Sequence, residues 1–177
     1  DLDAAGLDRT AAAITAAGGA AVAVAGDLTD EAPANRLIAT CVERFGRIDI
    51  LVNDAAYNKS IPFKELDNLT YEEWTKIIDI NLTGPMLMTK AVAPVMKKQG
   101  AGAIVNISSV AGVMGVGSST AYIASKGALN AMSLALSRAL APTIRINSIS
   151  PGMIETRWHK DRFDAEGYEK FKADYEK

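Results

Sequence analysis

The chain has 177 residues, 19 of them basic and 21 acidic, for a formal net charge of −2. That length suits one domain with a single sizeable core, and its mixed charge has neither the basic stripe of a nucleic-acid binder nor the cationic face of a membrane-surface helix. No apolar stretch reaches transmembrane length and no signal segment is visible, so a soluble, cytoplasmic protein without nucleic-acid or membrane partners is expected.

In chain order, the alanine-rich residues 4–17 read as a helix and residues 20–25 as a short apolar strand. Residues 30–45 carry helical spacing. Within them Cys41, the single cysteine, lies among Leu37, Ile38, Val42 and Phe45 and reads as a small buried hydrophobe with no internal disulfide to form. A strand is predicted at 48–53, ending in Asn53-Asp54-Ala55-Ala56. A helix follows at 70–79, where Thr70 and Glu73 form a capping box. Helical spacing resumes over 81–99, with a kink expected at Pro94. A strand at 103–107 leads into Ser108 and Ser109, a helix covers 120–140, and a strand at 144–149 ends at the turn Pro151-Gly152. Strand alternating with helix predicts a doubly wound parallel α/β sheet, a three-layer α/β/α domain over 1–177 with both faces covered.

Tyr122 and Lys126 are four apart on a predicted helix, so they stand one turn above each other with Cβ atoms roughly 5–6 Å apart. An ammonium beside a phenol favours the phenolate. Moving a tyrosine pKa from about 10 to about 7 takes some 4 kcal/mol, more than a lysine on a wet surface supplies. Ser109 falls just beyond a strand's C-terminal end, where parallel α/β sheets place their ligand crevice. Its hydroxyl can donate to a substrate oxygen, with Ser108 as a rival for that role. Tyr122 can then give a proton to a carbonyl oxygen or take one from an alcohol. His159 is the single histidine, so neither a histidine-based triad nor a zinc site is expected.

Several motifs occur in fixed order: Asn53-Asp-Ala-Ala, Asn81 in Asn-Leu-Thr-Gly, Ser109 in Asn-Ile-Ser-Ser-Val-Ala-Gly, Tyr122-x-x-x-Lys126, and Pro151-Gly152 followed by Thr156. Together they resemble the short-chain dehydrogenase/reductase family, in its compact form, over essentially the whole chain. The resemblance implies an NAD(P)-dependent oxidoreductase that interconverts a small-molecule secondary alcohol and a ketone. It selects Ser109 over Ser108 by the spacing to Tyr122, adds a ribose contact for Lys126, and gives Asn81 a water in the proton relay. For Asn81 the alternative is a capping or helix-kink asparagine. On the cofactor side it implies that Asp27 meets the adenine amino group beside the Leu28 backbone, while Asn53 and Ala55 serve sheet support and the adenosine ribose. Pro151 and Gly152 turn the chain so that the Ile154 backbone meets the carboxamide and Thr156 the carboxamide or pyrophosphate. Asp27 can also be read as a plain helix cap, a role open to Thr29 or Asp30.

Asp1, as an acidic residue ending a second strand, would bond a ribose 2′-hydroxyl and repel a 2′-phosphate, which favours NAD over NADP. Asp3 is the alternative, as is a helix-capping role for the Asp-Leu-Asp opening. Residues 155–177 match the family's substrate lid. A homodimer or homotetramer packed through 81–99 and 120–140 is implied as well. The competing function is a non-catalytic dinucleotide-binding scaffold or sensor of the same fold.

Measured against that family, the first two strands and the last strand are expected to be absent from this chain. Residues 20–25 and 48–53 would then stand three strand spacings apart, about 14 Å. Unpaired backbone groups would face the gap. Gly112-Val-Met-Gly-Val-Gly117 mimics a phosphate cradle, but its glycines run in the reverse of the dinucleotide order, and a loop leading Ser109 towards Tyr122 is expected instead.

Overall fold

The computed structural model describes residues 1–154, 167–169 and 172. Two helices come first, α1 (Ala4–Ala16) and α2 (Glu31–Phe45), and then strand β1 (Ile50–Asn53). A 3-10 turn (Phe63–Asn68), α3 (Tyr71–Ile78), a π-helical turn (Asp79–Thr83) and α4 (Gly84–Gln99) lead to β2 (Gly102–Ile107). The single-turn α5 (Ala111–Met114) and the long α6 (Thr120–Leu140) then lead to β3 (Ile144–Ile149). The strands form one parallel sheet in the order β1-β2-β3, with Asn53 level with Asn106 and Ile107 level with Ile149. This is the expected Rossmann-like α/β arrangement, and it gathers the C-terminal ends of all three strands at one edge.

Local chemistry sets the helix ends. Asp3, Asp30, Thr70 and Ser119 each accept a backbone N–H at the start of α1, α2, α3 and α6. Gly46 and Gly100, with φ of 78° and 82°, close α2 and α4 in the left-handed region. The capping box forms by half: Thr70 accepts from Glu73 N at 3.2 Å, while the Glu73 carboxylate takes Lys59 Nζ at 2.8 Å instead of reaching back.

The core gathers Ile38 of α2, Leu87, Val92 and Met96 of α4, Leu51 and Ile104 of β1 and β2, and Ile144 and Ile146 of β3. Burial alternates along β1: Leu51 and Asn53 face this core, while Ile50 and Val52 stand 64% and 54% exposed. No helix among the described residues is long and apolar enough to cross a membrane.

Two expectations are corrected. Residues 20–25 form no strand, because an extended segment becomes one only through a ladder partner. Gly26 N, at its end, bonds the Asp1 carbonyl instead. A cleft of about 1120 Å³ is lined by Gly26–Thr29 on one side and Leu51–Tyr57 on another. The helix expected from residue 81 starts instead as a π turn at Asp79, and α4 continues through Pro94 to Gln99.

Candidate active site

The π turn has a visible cause. Pro85 has no N–H to give the carbonyl four residues back, that of Asn81, and its ring crowds that carbonyl. The turn widens, and Gly84 N bonds the Asp79 carbonyl five residues back. Such single wide turns recur at functional sites. Here the turn drives the Asn81 side chain inward to 1% exposure. Its Oδ1 accepts from Tyr57 N at 2.7 Å, while Nδ2 donates to Tyr57 O at 2.9 Å and to Ser125 Oγ at 3.1 Å. Asn81 is therefore a clamp between the loop after β1 and α6, and it caps no helix. Ser125 in turn donates to the Tyr122 carbonyl at 2.7 Å.

The two serines after β2 separate cleanly. Ser108 is buried, and its Oγ donates to the Lys126 carbonyl at 3.0 Å. Ser109 is half-buried; its Oγ accepts from Ala111 N at 3.2 Å, and it lies near enough to the Tyr122 phenol to lower that group's pKa. Lys126 is 2% exposed, with Nζ 5.8 Å from the Tyr122 ring centroid and donating to the Ile107 carbonyl at 2.7 Å. Ser109, Tyr122 and Lys126 thus meet at the strand ends as the spacing predicts, with Asn81 one hydrogen bond behind through Ser125.

The electrostatics differ from the simplest expectation. Burial pushes the Tyr122 phenol above its usual range, and the Ser109 contact only partly offsets this. Burial also lowers Lys126 to about 8, against the charge of Asp54, which pulls the other way. Asp54 follows Asn53, the partner of Asn106, and so stands near Ile107, whose carbonyl holds the ammonium. In this state desolvation outweighs the lowering by Ser109, and Tyr122 is a protonated acid at neutral pH.

The cofactor candidates divide. Asp1, Asp27, Leu28, Asn53 and Ala55 all line the large cleft. Asp27 Oδ1 takes Thr29 N at 2.9 Å and Thr29 Oγ1 at 2.8 Å, which holds its carboxyl below the usual range. The cap of α2 is Asp30, and Asp3 caps α1, which leaves Asp1 and Asp27 as the carboxylates facing the cleft from this side. Asn53 works chiefly inside the sheet: its Nδ2 donates to Asn106 Oδ1 at 2.8 Å, and Asn106 Nδ2 to Ser133 Oγ at 2.8 Å. Pro151 accepts from Val110 N at 3.1 Å, beside Ser109, and Gly152 and Ile154 follow it, Ile154 well exposed. Thr156 lies outside the described residues, as do Trp158, His159 and Phe163 of the expected lid.

Three contributors were given no role from the sequence, Tyr57, Ser125 and Ser133, and neither was Asp54, although it lies within the Asn53-Asp-Ala-Ala motif. Pro85 after Gly84 was the one signal that pointed to the wide turn, and the position of Ser125 just before Lys126 pointed to the second shared bond. Lys126, Tyr122 and Ser109 do not line that cleft, but the two sets together suit a dinucleotide, since the cleft carboxylates match hydroxyl and amino donors and Lys126 with Tyr122 matches ribose hydroxyls.

A family profile described as short chain dehydrogenase matches residues 1–167. The 3-oxoacyl-acyl-carrier-protein reductase of Synechocystis sp. is 38% identical over 150 residues, covering 84% of this chain and 60% of the reductase. The 2-(R)-hydroxypropyl-CoM dehydrogenase of Xanthobacter autotrophicus is 39% identical over 142 residues, covering 80% of this chain and 57% of that enzyme. The structure of an NAD+-bound xylitol dehydrogenase superposes with a TM-score of 0.84 at 32% identity, over 91% of this chain and 62% of the other. The chain spans about three fifths of the length of these relatives.

Proposed function

The chain belongs to the short-chain dehydrogenase/reductase family, and from that premise we propose that it interconverts a secondary alcohol and a ketone with a nicotinamide dinucleotide. The observation that carries this reading is the buried Lys126, its Nζ 5.8 Å from the Tyr122 ring centroid and one helical turn along α6, with Ser109 near enough to that phenol to lower its pKa. Two neighbouring hydroxyls can grip one substrate oxygen between them.

Ser109 donates to that oxygen and shares its charge as the charge develops. Tyr122, kept protonated by burial, gives its proton to the oxygen in reduction and recovers it in oxidation. Lys126 steadies the phenolate that this leaves behind, and its ammonium suits the ribose hydroxyls. When bound, the dinucleotide supplies or accepts the hydride. Asn81 holds the loop at Tyr57 and the helix at Ser125 together, and its carbonyl, which Pro85 cannot serve, suits a water in the path that reprotonates Lys126.

Asp1 and Asp27 in the cleft support NAD over NADP, because a 2′-phosphate would meet carboxylates there. The NAD+ bound by the xylitol dehydrogenase is in line with this. The exposed Leu134 of α6 and Met86 of α4 support self-association through those helices, and the single Cys41 suits the reducing cytoplasm. Tyr122→Phe tests the chemistry: NADH oxidation with a ketone panel should fall on the order of a thousandfold while dinucleotide binding persists. A wild-type protein that binds NADH but turns over no ketone or alcohol would assign the site to binding alone.

A further inference from the structure

Ser109 is flanked by two residues that lean on the same piece of backbone. One residue before it, the Ser108 hydroxyl donates to the Lys126 carbonyl at 3.0 Å. Three residues after it, Gly112 lies so close to α6 that a Cβ built there would fall 2.5 Å from both Lys126 C and Gly127 N, and 2.9 Å from Lys126 O. Those are backbone atoms and cannot swing aside. Gly112 has no positive φ, so what demands glycine here is the approach. The other side of the crossing is also glycine: a Cβ on Gly127 would meet Gly112 O at 3.2 Å.

We infer that Ser108 and Gly112 are positioning residues, which hold the Ser109 hydroxyl against Tyr122 by seating both flanks of Ser109 on the single peptide unit Lys126–Gly127. The rest of the segment is closed around that seat. Ser108 N bonds the Ile149 carbonyl at 2.7 Å, Gly112 N the Ser109 carbonyl at 3.1 Å, and Ala111 N the Ser109 Oγ. Lys126 is consequently held at both ends, at its carbonyl by Ser108 and at its ammonium by the Ile107 carbonyl. Ser109, Tyr122 and Lys126 therefore share one reference point, and neither Ser108 nor Gly112 needs to touch substrate.

The inference rests on Ser109 and Tyr122 being the reacting pair, and its test is read on Tyr122 directly. In the natural full-length polypeptide, Tyr122 is titrated by NMR of ring-labelled tyrosine in the wild type, Ser108→Ala, Ser108→Thr and Gly112→Ala. Lys126 on α6 and Asp54 beyond β1, the charged groups that bear on this site, stay in place throughout. Loosening Ser109 removes the contact that offsets burial, so Tyr122 should titrate at higher pH in Ser108→Ala and return towards wild type in Ser108→Thr. Alongside, kcat should fall about tenfold in Ser108→Ala and on the order of a hundredfold in Gly112→Ala, as for a displacement near 1 Å, with KM and dinucleotide affinity held. If Gly112→Ala does not fold, the Ser108 pair decides. An unmoved Tyr122 titration in Ser108→Ala, or a parallel loss of dinucleotide affinity, overturns the inference. A fully active Tyr122→Phe would instead sink the assigned chemistry and leave the titration result standing.

Discussion

The corner around Ser109, Tyr122 and Lys126 and the cleft lined by Asp1, Asp27 and Ala55 are held by opposite means. At the corner, Asn81, Asn106, Ser108, Ser125 and Ser133 are all buried and bonded across elements far apart in sequence. In the cleft, Asp1 and Asp27 are exposed and the bonds of their carboxylates are local: Asp27 to Thr29, Asp1 to its neighbour Asp3. Buried polar groups tolerate no missing partner, so each bond at the corner constrains the others. Exposed turn bonds can be replaced by water at little cost. The geometry proposed for proton transfer is thereby fixed by the tertiary core, whereas the cleft offers charge on a surface that can adjust.

The contrast can be broken most forcefully at Asn106, which joins β1 to α6 through Asn53 and Ser133. Asn106→Leu removes two buried bonds and should cost about 2–4 kcal/mol, read as a lower denaturant midpoint. An unchanged midpoint would remove the distinction between the two regions.

Lys126 gives a pH signature of nearly the same size. Its folded pKa of about 8 lies below the ordinary 10.5, so between those values the unfolded chain binds more protons and stability rises with pH. The contribution is fully present above the unfolded value and lost as pH falls through 8. Lys126→Met should therefore gain up to about 3 kcal/mol on the wild type near pH 6 and lose that advantage in full only above the unfolded value of 10.5, while activity vanishes. Parallel stability curves for the two proteins would show that burial does not strain the ammonium.

The smallest effect belongs to the cleft. Asp27→Asn should change stability by no more than about 0.5 kcal/mol. What little Asp27 adds is present above its unfolded pKa of 3.8 and lost as pH falls through the lower folded value, because the Thr29 N–H and then its hydroxyl favour the carboxylate. NADH affinity should nonetheless drop about fivefold, the worth of one hydrogen bond, as measured by fluorescence titration. A large stability loss without an affinity change would reverse the roles assigned to the two regions.

Much of the corner was legible because it follows from spacing. Tyr122 and Lys126 share a face by helical geometry, and Ser109 sits at a strand's end wherever residues 103–107 pair as a strand. The caps at Asp30 and Thr70 are local chemistry too, although Asp30 was only one of several candidates. Residues 20–25 misled because β-branched and alanine-rich apolar runs signal burial, and a strand also needs a neighbour. The wide turn at Asp79–Thr83 was masked by good helical spacing on both sides; only Pro85 broke it. Ser108 and Ser109 are identical as side chains, and they separate only once the Lys126 carbonyl arrives beside one of them.

By itself the sequence determined five of the helices, the three strands that pair, and which three side chains stand at the sheet's carboxyl edge. These follow from periodicity and covalent distance along one chain. Only the tertiary structure decided that Tyr122 is held as an acid, that Asn81 clamps Tyr57 to α6, and that one peptide unit seats both flanks of Ser109. Desolvation and contact depend on what packs alongside, and that partner comes from tens of residues away.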